Sequence, residues 1–388
     1  MSDSMNVIGL NFSFLPPGIP GGMATYSWSL LDALVALNRY RFVLYAQAGH
    51  VVPEHLADHV RLVTVPLFGG RLKRVMWEQT ALPVLALKDR VDLMFSSGNA
   101  GPVLGWFAKV VTIHDLIYAM VPDRVDRHQA RYRRVMDVMT ARTADAVISV
   151  SEATANDIRF CKLPVGGRLH VVPEAAGPGF SAATPDDDPI DRAMITVAEP
   201  FVMMVASVLP HKSPRMVVDA AATLWHGAGI RTVILGTDPR GALAQTLMAA
   251  GDTGIVCLYG VPTPVLAAYY RRALCLVMPS EYEGFGLPIL EAQISGCPVI
   301  TTRRGALPEV AGDAAIFVEP GNAAAMADAV LGLYHDTAAR AALVARGFPN
   351  AARFSWEQAA ERTAAIFDDC LARRPRGLAR RPADPRGL

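Results

Sequence analysis

The sequence predicts an α/β protein built of two similar units, each a parallel sheet wrapped by helices, facing each other across a cleft. Three observations carry that expectation. Short apolar runs alternate with helical stretches, the pattern of strands joined by crossover helices. The pattern stops at a polar, proline-containing segment over residues 181–190 and then starts again. The chain has 388 residues, which suits two domains of about 100–200 residues each, and 52% of them are hydrophobic against 19% charged, ample for two buried cores.

In the first unit, apolar runs at residues 6–10, 41–45, 62–65, 93–96, 110–113, 146–150 and 169–172 read as strands. A loop over 12–20 holds Pro16, Pro17 and Pro20, and a helix is expected over 25–37. In the second unit the strands fall at 201–208, 232–235, 255–258, 274–278, 299–301 and 315–318. Helices fit 214–226, 264–272, 288–295 and 323–335. A last helix is expected over 356–373, and the Arg- and Pro-rich tail at 373–388 is expected to be disordered. The expected domains are therefore 1–180 and 181–372.

Composition excludes several classes. The 37 Lys and Arg nearly balance the 36 Asp and Glu, leaving a net charge of +1, which argues against a general nucleic-acid binder. The five cysteines, Cys161, Cys257, Cys275, Cys297 and Cys370, lie far apart with no CxxC pair. They imply buried free thiols in a reducing compartment, not a disulfide framework or a zinc site. Residues 1–5 lack the pattern of a signal peptide, and no apolar run approaches the roughly 18 residues that span a bilayer. A cytoplasmic location is expected.

Ligands of open α/β sheets sit beyond the carboxyl ends of the strands. The sharpest candidate there is Pro279-Ser-Glu-Tyr-Glu-Gly-Phe-Gly-Leu-Pro-Ile-Leu-Glu-Ala292. Pro288 suits the first turn of a helix, where its missing N–H costs nothing. Gly284, Phe285, Gly286 and Leu287 thus form a loop entering a helix N-terminus, whose amides and dipole favour an anion. Glu283 precedes this loop, and Glu291, eight residues on (291 − 283), is expected in the first helical turn. Carboxylates accept paired sugar hydroxyls well. Glu291 placed there would also complement the helix dipole.

Four further features follow. Lys212 sits between a strand and the helix opened by Pro214, where a cation can meet a diphosphate. His114, with Asp115, follows the strand at 110–113. Gly21 and Gly22 allow close backbone approach to a ligand. A basic cluster (Arg71, Lys73, Arg74, Arg124, Arg127, His128, Arg131, Arg133, Arg134) reads either as a solvated face or as a contact with anionic lipid headgroups, with Val75, Met76 and Trp77 beside it. No DxD-type acidic triplet stands on a suitable loop, since Asp186-Asp187-Asp188 falls in the linker, so neither metal nor cofactor is expected.

These segments together resemble family-4 retaining glycosyltransferases of the GT-B fold. The glycine loop with its two glutamates resembles the family signature. Gly21-Gly-Met-Ala-Thr-Tyr26, Val111-Thr-Ile-His-Asp-Leu116, Ala144-Asp-Ala-Val-Ile-Ser-Val-Ser-Glu152, Val171-Val-Pro-Glu174, Gly305-Ala-Leu-Pro-Glu309 and Phe354-Ser-Trp-Glu357 resemble other family segments, in order. The resemblance runs from about residue 5 to 371.

It implies two Rossmann-like domains, the first for acceptor and the second for donor, with the C-terminal helix returning to the first. It implies a nucleotide-diphosphate sugar as donor, transfer with retention, and the departing phosphate as base on the front face. By carry-over, Glu291 binds the nucleotide ribose, Glu283 lies beside the transferred sugar, and Gly22 and Gly284 to Leu287 contact the donor. Lys212 meets the diphosphate and His114 lies near the reacting sugar. Ser207 and His211 stand where the family commonly has arginines, which leaves the diphosphate clamp with one fewer strong cation and the role of His211 open.

The motif set is most similar to bacterial mannosyltransferases of polysaccharide assembly. GDP-mannose is therefore the favoured donor and a lipid-linked or other saccharide the acceptor, with an anionic membrane surface as a further partner. UDP-sugars are the alternative donors, and a non-catalytic sugar-nucleotide-binding protein is the alternative function. A dinucleotide-binding module fits poorly, because no GxGxxG follows an N-terminal strand.

Overall fold

The computed structural model describes residues 5–19, 21–183, 187–207, 209–237 and 251–373. Pro20, Asp186, Val208 and the tail from residue 374 onward lie outside the described residues.

The described residues form two parallel sheets. The first is seven-stranded: β1 Asn6–Phe12, β2 Tyr40–Gln47, β3 Val60–Val65, β4 Leu93–Ser96, β5 Ala108–Ile113, β6 Ala146–Ser149 and β7 Leu169–Val171, in the order β3-β2-β1-β4-β5-β6-β7. The second is six-stranded: β8 Phe201–Ser207, β9 Arg231–Thr237, β10 Ile255–Tyr259, β11 Leu276–Met278, β12 Val299–Thr302 and β13 Ile316–Val318, in the order β10-β9-β8-β11-β12-β13. β4, β6 and β12 are buried along their whole length, as parallel strands covered on both faces must be.

In each sheet the strand order reverses once, between β1 and β4 and between β8 and β11. Loops leaving neighbouring strands at such a point diverge to opposite faces and open a crevice. Lys212 lies on the loop after β8 and Glu283 on the loop after β11, so both border the crevice of the second sheet.

The C-terminal helix, Trp356–Ala372, returns to the first unit as expected. Ser355 caps its start by accepting from the Gln358 amide. Phe367 packs edge-on against Phe95 (5.3 Å) and Tyr40 (5.9 Å). The Tyr40 hydroxyl donates to Asp368 (2.7 Å), and Trp356 donates its indole N–H to the Ala176 carbonyl (2.8 Å).

Three elements depart from the sequence expectation. The first helix runs Gly22–Ala36 and starts three residues early, with Gly21 in extended conformation as its cap. The expected linker contains a helix, Asp187–Met194, pinned by the buried Asp191, which accepts from Arg271 eighty residues away. A helix also spans Thr337–Ala351, a stretch for which no element was expected from sequence, with Gly347 and Pro349 inside it. Gly347 instead allows a close approach: a Cβ there would lie 3.3 Å from Gln293 on the helix Leu287–Ile294.

All five cysteines are free; Cys275, Cys297 and Cys370 are buried, while Cys161 and Cys257 are partly exposed.

Candidate active site

The loop after β8 turns through Pro210–Lys212 and passes Ser213 in the left-handed region (φ 51°) before Pro214 opens the helix Pro214–Ala228. This turn docks on the loop after β11. The Glu281 amide donates to the His211 carbonyl (2.7 Å), and Lys212 Nζ donates to Glu283 Oε1 (2.5 Å). Glu283 is itself held through its main chain. Its carbonyl accepts from the Ala306 amide (2.9 Å), and a Cβ on Gly305 (φ 55°) would lie 2.3 Å from that carbonyl oxygen, so only glycine fits.

His211 is buried, and burial and then the neighbouring Lys212 charge push its pKa below the ordinary value. It is neutral near pH 7 and adds no second cation to the loop, which answers the question its position raises.

The glycine loop sits where the two units meet. A Cβ on Gly284 would lie 1.8 Å from the His114 carbonyl oxygen of the first unit. The Gly284 carbonyl accepts from Ser151 Oγ (2.7 Å) and Thr154 Oγ1 (3.1 Å), also of the first unit. Phe285 turns inward, edge-on to Phe354 at 5.8 Å, so its side chain is an anchor in the core and only its main chain faces the site. Gly286 caps the helix Leu287–Ile294 at φ 114°. Pro288 carries no N–H there, and the Ile289 amide donates to the Gly286 carbonyl (3.0 Å). Gly22 stands opposite, where a Cβ would be 3.7 Å from Leu287 Cδ1.

Glu291 lies in the second turn of this helix, not the first, and is buried, so complementing the dipole is not its role. Its carboxylate accepts from the Tyr270 hydroxyl (3.0 Å). Burial raises its pKa from 4.5 to about 7, against the opposing Tyr270 hydrogen bond. The folded value lies above the ordinary one, so the associated stability is complete below pH 4.5 and is lost as pH rises through about 7. The family resemblance implies a ribose at this carboxylate, and hydroxyls donating to it would favour the ionised form. Nucleotide affinity is therefore expected to rise about tenfold between pH 6 and 8, since only about a tenth of the carboxyl is ionised one unit below its pKa. Calorimetry at both pH values checks this. Glu291→Gln must remove the dependence; if it leaves the slope unchanged, the titrating group belongs to the nucleotide.

On the first unit, His114 is buried with Nδ1 3.0 Å from Glu174 Oε1 and Nε2 2.7 Å from the Ser97 carbonyl oxygen. Tyr26 lies edge-on to the ring at 4.6 Å. Further contacts hold the units together. Arg124 forks onto Glu281 (2.8 and 2.6 Å), Tyr282 donates to Asp157 (2.6 Å), and Glu309 accepts from the Glu152 and Ala153 amides (both 3.0 Å), capping the helix Glu152–Phe160.

The structure thus gathers Gly22, His114, Lys212, Glu283, Gly284, Gly286, Leu287 and Glu291 around one interface. Sequence reasoning assigned no role to Glu174, Tyr270, Ser151, Thr154 or Glu309. Ser151, Glu174 and Glu309 did lie in recognised segments, but their partners are 133, 60 and 157 residues away.

The family profile described as "Glycosyltransferase Family 4" matches residues 20–175, and that described as "Glycosyl transferases group 1" matches 199–336. The O-antigen chain mannosyltransferase B of Escherichia coli is 27% identical over 285 residues, 72% of this chain and 74% of its own length. The D-inositol 3-phosphate glycosyltransferase of Corynebacterium kroppenstedtii is 26% identical over 405 residues, 92% of this chain and 88% of its own. The structure of HepE of Anabaena in complex with UDP and glucose superposes with a TM-score of 0.76 at 17% identity, covering 94% of this chain and 100% of that one. With two parallel sheets meeting at a cleft and both family profiles matched in order, this chain belongs to the family-4 glycosyltransferases of the GT-B fold.

Proposed function

We propose that the chain transfers a hexose with retention from a nucleotide diphosphate, GDP-mannose foremost, to a lipid-linked or other saccharide acceptor in bacterial polysaccharide synthesis. The observation that carries this reading is the Lys212–Glu283 pair beside the Leu287–Ile294 helix N-terminus, with Glu291 buried in the same helix. Residues 1–180 serve the acceptor and 181–372 the donor.

In the reaction, the anomeric C–O bond breaks and its electron pair goes to the nucleotide's terminal phosphate oxygen. The acceptor hydroxyl oxygen bonds the anomeric carbon from the same face, and its proton passes to the departing phosphate. Negative charge grows on that phosphate, so preorganised donors there lower the barrier. Lys212 and the amides at the glycine loop supply them. For Lys212 to do so it must share or leave its contact with Glu283, which frees that carboxylate for sugar hydroxyls.

The mannosyl choice draws support from the Escherichia coli relative, and the UDP-sugar alternative from the HepE neighbour. A thermal-shift panel of GDP, UDP, ADP and dTDP, followed by turnover of the matching sugar nucleotides, tests both. A nucleotide at a hundred times its Kd is expected to stabilise by about 2.7 kcal/mol. Stabilisation by UDP alone overturns the GDP assignment. Binding without turnover or donor hydrolysis overturns the enzyme.

Association with an anionic membrane completes the proposal. No helix among the described residues is long and apolar enough to cross a bilayer. The helix Arg71–Lys88 exposes Arg71, Leu72, Lys73 and Met76, and Arg71 lies over the Tyr132 ring (5.6 Å) of the helix Arg127–Thr143, which exposes Arg127, Arg131 and Arg134. The two basic groups therefore share a face. Its membership is narrower than the sequence suggests. Arg74 donates to the buried Glu78, Arg124 to Glu281 and Arg133 to Asp115. Val75 is buried, and Trp77 packs on Phe68 (5.6 Å), so Leu72 and Met76 are the apolar contacts. Each exposed cation is worth about 1 kcal/mol at such a surface. Co-sedimentation with anionic liposomes is expected at low salt, to weaken at high salt and to fall in an Arg71→Glu/Lys73→Glu double variant; binding unchanged in that variant removes this face from the account.

A further inference from the structure

His114 raises a question of proton count. A neutral imidazole has one N–H and one bare nitrogen, so it can donate once and accept once. Here both ring nitrogens face acceptors. The Ser97 carbonyl, 2.7 Å from Nε2, can only accept. The Glu174 carboxylate, 3.0 Å from Nδ1, can only accept while ionised. Both nitrogens must then carry hydrogen. The surroundings agree. Burial lowers the pKa of His114, but the Glu174 hydrogen bond and charge, the Ser97 carbonyl and Asp115 together outweigh it, and the net shift is upward. The charged groups acting on the ring are Glu174, beyond β7, and Asp115, on its own loop; Tyr26 of the first helix lies edge-on. Asp115 is matched by Arg133 at 2.9 Å, which leaves Glu174 as the carboxylate that answers the ring.

The position gives the charge a use. The carbonyl of His114 lies against Gly284, the first residue of the glycine loop. The loop after β8 supplies one cation there, Lys212, already shared with Glu283, while His211 is held neutral. We infer that Glu174 is a positioning residue that acts through His114, holding its ring doubly protonated in a buried ion pair that fixes the residue whose main-chain carbonyl backs the glycine loop. The inference rests on the proposed glycosyl transfer. A glycine loop backed by a fixed main chain needs no reorganisation as charge develops on the departing phosphate, which is the preorganised arrangement that lowers a barrier. It also makes His114 unfit as a general base, since neither nitrogen has a free lone pair.

The substitution that separates charge from shape is Glu174→Gln. Its amide can donate to Nδ1, so the ring keeps both hydrogen bonds while losing its reason to be charged. The histidine side chains are observed by nitrogen-15 NMR, with His114 assigned from His114→Gln, and turnover is followed from pH 5.5 to 8.5. In the wild-type protein, His114 is expected to remain doubly protonated at pH 7.5. In Glu174→Gln it becomes neutral at that pH, and kcat falls about 10–100-fold, by analogy with the loss when the outer partner of a metal-bound imidazole is removed. The rate then recovers as the pH is lowered and the ring regains its proton, whereas the wild-type rate shows no such recovery. A neutral His114 in the wild-type protein overturns the inference. So does a Glu174→Gln rate equal to wild type at every pH, or one that is low at every pH with the wild-type profile, which marks Glu174 as merely structural. The NMR result stands without any turnover, so failure of the proposed transfer and failure of this inference are told apart.

Discussion

Replacing Lys212 with alanine is expected to lower kcat by roughly 10²–10³, about 2.7–4 kcal/mol, while leaving the fold intact. The residue is a largely buried cation whose side chain donates to Glu283 at 2.5 Å. Its removal leaves Glu283 buried without its cation, which also costs stability. That cost is separable, because it appears in thermal unfolding of the free protein, whereas the loss of transition-state stabilisation appears in kcat. Lys212→Arg is the informative companion. Arginine keeps the charge but replaces a compact ammonium with a planar fork, so partial recovery of kcat is expected. A Lys212→Ala rate within about threefold of wild type would assign the departing phosphate to the amides of the glycine loop.

Gly284→Ala is expected to have the second large effect, through shape alone. The φ of Gly284 is not in the left-handed region, so alanine carries no backbone penalty there. The obstacle is the His114 carbonyl oxygen, 1.8 Å from where the new Cβ would sit, a main-chain atom that no rotamer change can move. Either the glycine loop withdraws from the first unit or the units separate. Both routes break the bonds that Ser151 and Thr154 donate to the Gly284 carbonyl. Overpacking costs about 1–3 kcal/mol and each lost hydrogen bond about 0.5–1.5 kcal/mol. A fall in Tm of several degrees is expected, at about 2–4 °C per kcal/mol for a domain of this size. With it is expected at least a tenfold loss of kcat, because the loop proposed to meet the diphosphate has moved. Gly227→Ala is the control. It lies in the helix Pro214–Ala228 with nothing within 4 Å of its Cβ position, so a small gain in stability is expected. A Gly284→Ala protein with wild-type Tm and kcat would show that the two units do not meet here in solution.

The strands, and the helices whose bounds were expected from sequence, were legible because their signals are local. The helix Pro214–Ala228 announces itself by a proline at its first position and ends at Gly229, in the left-handed region at φ 67°. The helix Ala323–His335 has the bounds the sequence suggests, with Asn322 capping it. The helices Asp187–Met194 and Thr337–Ala351 were not legible, for one reason. Asp191 is held by Arg271, and Gly347 is tolerated because Gln293 packs where a side chain would stand. Both causes lie far off in the chain.

The same division runs through the site. By itself the sequence determined that a glycine loop enters a proline-opened helix after a buried strand, that Glu283 and Glu291 flank it, and that Lys212 and His114 stand at the carboxyl ends of strands. These follow from period, spacing and turn chemistry within a dozen residues. Only the tertiary structure decided what each group touches. It turned Phe285 into an anchor, buried Glu291 one turn deeper against Tyr270, neutralised His211 and paired Lys212 with Glu283. It gave His114 to Glu174 across 60 residues of chain. Charge state and hydrogen-bond partners depend on distances of a few ångströms between segments that the chain order keeps apart, and such distances exist only once the two units have closed on each other.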